Sequence, residues 1–187
     1  EGDWNAGWEP LFARHQARRL GAEQIHDALL LSSGIPQPYG ISHALRQVDF
    51  AMQFPDVQRT PRGRRERHDE ETPAAAAAGL LDAFLRGDRE ETARSSEPTL
   101  IQALHMMNSS LVLNRTDAQA GQGYLPALLE QSDENLVASL YVLVLSRFPT
   151  PDERALGLAA LSGGDRTGAA EDLMWSLYNK VDFIFNY

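Results

Sequence analysis

The stretch that decides the fold opens with Ser132-Asp133-Glu134-Asn135-Leu136 and closes with Arg147-Phe148-Pro149-Thr150-Pro151-Asp152-Glu153. After Ser132, residues Leu136, Leu140, Leu143 and Val144 recur at helical spacing as far as Arg147, and Pro149 ends the run. Thr150 to Glu153 then reads as a capping box. The threonine hydroxyl accepts from the Glu153 amide while the glutamate carboxylate reaches back, and Pro151 sits where a helix has no N–H to lose. That second helix should run to about Leu161 and stop at Gly163-Gly164. Two capped starts separated by a short breaker predict an antiparallel helical hairpin.

Working outward, Thr167 reads as the cap of a last helix, with Leu173, Leu177 and Val181 on its apolar face and Trp175 and Tyr178 alongside. The tail Phe183-Ile184-Phe185-Asn186-Tyr187 is too aromatic for a solvated end and is expected to pack back on the bundle. Before the hairpin, Tyr124 to Glu130 reads as a short helix. Ser96-Glu97-Pro98 opens another, with Leu100, Ile101, Leu104, Met107 and Leu111 as its apolar face. The alanine run from Ala74 to Ala78 leads into a helix ending near Leu85, with Gly87 as its cap. Ala22 to Ser33 is helical by the spacing of Ile25, Ala28, Leu29 and Ser32, and Gly34 caps it.

The remainder is irregular. Residues 1–17 form a lead-in, and residues 35–73 read as a partly extended insertion with a short strand between Val48 and Phe54. The run Arg59 to His68 is basic and rich in turn residues, as an exposed loop would be. The fold class is therefore all-α: an irregular helical bundle over residues 18–187, carrying a long loop region at about 35–73.

The 187 residues are 43% hydrophobic and 8% aromatic, which suffices for a core. A net charge of -9, from 17 basic and 26 acidic residues, argues against nucleic acid as a partner. There is no cysteine, which excludes disulfides, thiolate chemistry and cysteine-ligated metals or haem. No run approaches the roughly 18 apolar residues of a membrane span. The five histidines lack ligand spacing, so neither a metal nor a cofactor is expected in this chain. No nucleophile elbow, Walker loop or dinucleotide glycine pattern occurs, and no catalytic residue is assigned. Arg86-Gly87-Asp88 is a three-residue match of a kind common by chance. The densest polar block holds Arg89, Arg94, Glu97, Gln102, His105 and Asn108. These are the candidate binding residues, since a polar helix face of that composition can line a cleft.

Four blocks, in order, carry a family resemblance. They are Arg18-Arg19-Leu20-Gly21-Ala22-Glu23 through Asp27-Ala28, Ser95-Ser96-Glu97-Pro98-Thr99 through Gln102-Ala103-Leu104 and Asn108, Leu140-Tyr141 through Leu145-Ser146-Arg147-Phe148-Pro149-Thr150-Pro151-Asp152-Glu153, and Glu171-Asp172-Leu173-Met174-Trp175 through Phe183-Ile184-Phe185-Asn186. Together they resemble the planctomycete-type C-terminal domain of unknown function. The resemblance implies a helical module ending a large exported protein, hence an extracytoplasmic location and, as partners, other domains of that protein, often a c-type cytochrome domain. It also implies that these blocks form the C-terminal half of the family domain. Relatives often carry cysteines near Arg89–Ser96 and an acidic cap where Gly21 stands; this chain has neither. The expected role is a non-catalytic interaction module. The alternatives are an enzyme or glycan-binding site around Arg89–Asn108, or an acidic docking surface for a haem partner.

Overall fold

A computed structural model describes residues 18–41, 46–53, 73–86 and 99–186. The lead-in, the Arg59–His68 patch and the tripeptide beyond Arg86 lie outside them. The described residues are helical, with two small ribbons: α1 (Ala22–Ser33), α2 (Pro73–Ala83), α3 (Leu100–Asn108), α4 (Ser110–Thr116), α5 (Leu125–Leu128), α6 (Asp133–Leu145), α7 (Pro151–Leu161), α8 (Arg166–Tyr178) and α9 (Val181–Ile184). Strand β1 (Arg18–Arg19) pairs antiparallel with β4 (Phe185–Asn186), and β2 (Tyr39–Ile41) with β3 (Arg46–Val48).

The hairpin stretch starts both helices where read, but α6 stops at Leu145, two residues short of Arg147, because Ser146 turns left-handed at φ 55° and its amide closes on the Val142 carbonyl. Ser132 accepts from the Asn135 amide, and the Thr150–Glu153 box is closed in both directions. Helices α6 and α7 pack against each other and both against α8. Contact is close because Gly157 faces Val137, whose methyls would lie 3.0 Å from any added Cβ. Leu136, Leu140, Met174 and Leu177, all essentially solvent-free, fill this half of the core. Each is worth roughly 1.5–3 kcal/mol of apolar burial.

Helix α1 joins this half to the other. It packs on α6 on one side and on α2 and α4 on the other. Its end is fixed by two glycines. Gly34 at φ 70° ends the helix under the Tyr124 ring, and Gly123 at φ 75° lies so close that a Cβ would stand 2.3 Å from the Ser33 carbonyl oxygen. The Tyr124 amide donates to that same oxygen at 2.9 Å. Neither position tolerates a side chain, by conformation or by space.

Several expectations are corrected. The strand in the insertion is β3, ending at Val48. Beyond it Ala51–Gln53 is a 3₁₀ turn, because the Asp27 carboxylate accepts from the amides of Ala51 and Met52. Helix α2 ends before Gly87: Leu85 takes the left-handed conformation at φ 55°, and the Arg86 amide closes back on Leu81. The described cap of α3 is Thr99, whose hydroxyl accepts from Gln102. Ser96, Glu97 and Pro98 lie outside the described residues. The helix also breaks at Ser109, so Leu111 belongs to α4. Asp165, not Thr167, caps α8, since its carboxylate is placed to accept from the Gly168 amide. Val181 is exposed, one turn beyond the end of α8. The described part of the aromatic tail does pack back: Phe183 meets the Tyr178 ring edge-on at 5.1 Å, and β4 closes on β1, while Tyr187 lies outside the described residues.

Candidate functional site

Polar groups enter the interior mainly on α1. Nine of its twelve residues are buried, among them Glu23, His26, Asp27, Ser32 and Ser33. Each finds a partner, as buried polar groups must. Glu23 pairs with Arg86 at 3.1 Å, both nearly solvent-free, which ties α1 to the end of α2. His26 Nδ1 lies 2.8 Å from Asp27 and Nε2 lies 2.7 Å from the Tyr39 hydroxyl. In the neutral imidazole Nδ1–H donates to the Asp27 carboxylate, so Nε2 accepts from the Tyr39 hydroxyl. Burial pushes the Tyr39 phenol up, which keeps that proton in place. Ser32 donates to the Ala28 carbonyl at 2.6 Å and so accepts from the Tyr178 hydroxyl at 3.0 Å. The Glu23 and Asp27 of the first sequence block are thus fold-fixing groups.

A second polar cluster joins the hairpin loop to the end of α8. Arg147 donates to both Glu153 oxygens, at 2.7 and 2.9 Å, and to Asp182 at 2.6 Å. Lys180 also pairs with Glu153. The guanidinium lies 5.5 Å from the Tyr141 ring centre. Arg147, foremost, then Lys180 and the Thr150 amide hold the Glu153 carboxyl well below the usual carboxylate range. A cavity of about 640 Å³ opens beside this cluster, walled by Leu20, Ala28, Val144 and Phe183 as well as Arg147 and Asp182. Its two charged groups already face each other, so a ligand there meets a satisfied pair.

A third feature is Arg115, 4% exposed, on the wall of a cavity of about 490 Å³. Its neighbours on that wall include Gln37 and Asn114 on the polar side and Ile35 and Leu111 on the apolar side. The cavity is of the size that small-molecule sites occupy.

Of the six residues expected to bind, Arg89, Arg94 and Glu97 lie outside the described residues. Gln102 is buried, and its side-chain oxygen accepts from the Thr99 amide as the returning half of the α3 cap. His105 is half-buried against Gly79 of α2. Asn108 is exposed and donates to the Leu104 carbonyl at 3.1 Å. None of these three lines either cavity. Sequence reasoning missed His26, Tyr39, Gln37 and Arg115. For Arg115 a signal existed: it falls at i+4 from Leu111 and i+3 from Val112, on the stripe that α4 buries.

Helix α3 carries the fourth feature. Its apolar residues face outward: Leu100 is 76% exposed, Ile101 61%, Leu104 48% and Met107 44%. The helix buries Gln102 and Met106 instead. The apolar periodicity was real but faces away from the rest of the described chain.

Among the described residues there is no cluster of three metal-ligating side chains, and no helix is long and apolar enough to cross a membrane. No curated protein and no solved structure matches the chain. A family model does match, over residues 6–161, and it takes in all of the first block, the α3 block and the hairpin. The chain belongs to the PSD1 family, described as proteins of unknown function (DUF1553).

Proposed function

We propose that the chain is a non-catalytic helical interaction module. The observation that carries this reading is the outward stripe of α3, where Leu100, Leu104 and Met107 follow one another at i, i+4 and i+7 with Ile101 beside them. Four large apolar side chains on one exposed helix face form the kind of patch that marks a protein contact. The network on α1 and the Arg147 cluster support the same reading, because their polar groups are committed to holding the fold. The partner is another domain of the same polypeptide, and the family resemblance adds an exported protein with a c-type cytochrome domain as its setting.

The test is a photo-crosslinking amino acid in place of Leu104 in the native host, with Leu156 on α7, 72% exposed, as the control position. A discrete adduct from position 104 and none from 156 is expected. Mass spectrometry of the joined peptides identifies the partner domain. Equal labelling at both positions, or none at 104, refutes the proposal.

A further inference from the structure

Arg115 enters the core without a counter-charge among the described residues. Its Nη1 donates to the Leu111 carbonyl at 2.8 Å and its Nη2 to the Gln37 side-chain oxygen at 2.7 Å, both neutral acceptors. Its Nε–H has no acceptor among the described residues. The ionisable groups acting on it are the phenols of Tyr39 and Tyr178, and burial lowers its pKa. Asp27, beyond Tyr39 and His26, is committed to His26 and to the amides of Ala51 and Met52. A buried cation is ordinarily paired, because leaving it alone in a poorly polarisable interior is expensive.

The unmet demand has a shape. Nε–H and Nη2–H lie on one side edge of the guanidinium plane, spaced to meet the two oxygens of a carboxylate. Here the Gln37 carbonyl takes one of the two Nη2–H groups, and the Nε–H of that edge meets no acceptor among the described residues. The Gln37 amide nitrogen is likewise buried and unbonded. Gln37 therefore supplies one neutral oxygen where two anionic ones fit, and its own donor is left over. Both residues stand on the wall of the 490 Å³ cavity, with Ile35 and Leu111 beside them.

We propose that this cavity binds a small carboxylate with a short apolar body. The carboxylate displaces the Gln37 carbonyl from Nη2, takes Nη2–H and Nε–H together, and accepts from the released Gln37 amide, while its alkyl part lies against Ile35 and Leu111. No covalent step is involved.

The test titrates the full chain with hexanoate and with hexan-1-ol, following backbone and arginine Nε–H resonances by NMR. Hexanoate should give saturable shifts at Gln37, Asn114 and Arg115, and the alcohol should bind roughly tenfold or more weakly, the worth of a charge-assisted pair. Gln37→Glu places a carboxylate on the same edge within the chain. It should raise Tm and abolish the hexanoate shifts. Arg115→Met should also abolish them, and the Gln37→Glu result stands whether or not that variant folds. Equal binding of acid and alcohol, an absence of saturable shifts, or a Gln37→Glu protein that still binds hexanoate overturns the proposal.

Discussion

Helices α1 and α3 solve opposite problems. Helix α1 takes Glu23, His26, Asp27 and two serines into the interior, and α3 leaves Leu100, Ile101, Leu104 and Met107 on the surface. Polarity alone would have sorted these residues the other way. What separates the two helices is the supply of partners. Around α1, Arg86, Tyr39, Tyr178 and the turn at Ala51–Gln53 satisfy the polar groups, so burial costs little. Around α3, only Gln102 and Met106 meet the described chain fully. On that buried face the glutamine oxygen closes the Thr99 cap, which a leucine cannot do.

The comparison breaks most readily at Asp27. Asp27→Ala strips the acceptor from His26 and from two backbone amides, and should cost about 3 kcal/mol, because buried donors left unpaired lose their full solvation. Denaturant unfolding of the variant measures this, and a loss under about 1 kcal/mol would mean that water fills the gap and that the α1 network is not what holds the turn.

Glu153 sharpens the middle of the scale, being partly covered and held by Arg147 and Lys180. Glu153→Gln should cost about 1 kcal/mol at neutral pH, nearer the value of a surface pair than of a buried one. Its pH dependence carries the sign. The folded-state pKa is depressed below the ordinary value of 4.5, so unfolding takes up a proton. The stabilisation is complete above the ordinary value and is lost as pH falls toward the folded one. The wild-type advantage over the variant should therefore shrink between about pH 5 and about pH 2, read from unfolding curves across that range.

The smallest effect is expected on α3. Leu104→Ser should change stability by less than about 0.5 kcal/mol, since its side chain is already half in water. A large loss would place Leu104 in the core in solution and erase the contrast with α1.

Much of the fold was legible wherever the signal was local. Ser132, Thr150 and Gly34 mark helix ends through bonds made within a few residues, and those ends stand where read. The reading failed where ends or faces depend on distant chain. Asp27 shapes a turn more than twenty residues away, which no window around Val48 reveals. The α3 stripe has helical periodicity whichever way it points, so spacing gave the element but not its orientation. The candidate site was harder still. Arg115 and Gln37 meet across 78 positions, and only Arg115's place on the apolar stripe of α4 hinted that a cation was going inside.

The ribbon of β1 and β4 has a mechanical consequence. Arg18 lies opposite Asn186 and Arg19 opposite Phe185, so the first residue of β1 and the last of β4 stand at the same end of the ribbon. Tension applied through those two residues loads the pairing in the peeling direction: the hydrogen bonds break singly, each in its turn, instead of sharing the force. The next bond in line joins the Leu20 amide to the Ile184 carbonyl, at 2.8 Å. Once it yields, the pull reaches α1 from its first turn, and the helix that knits both halves of the core becomes the next element to bear load.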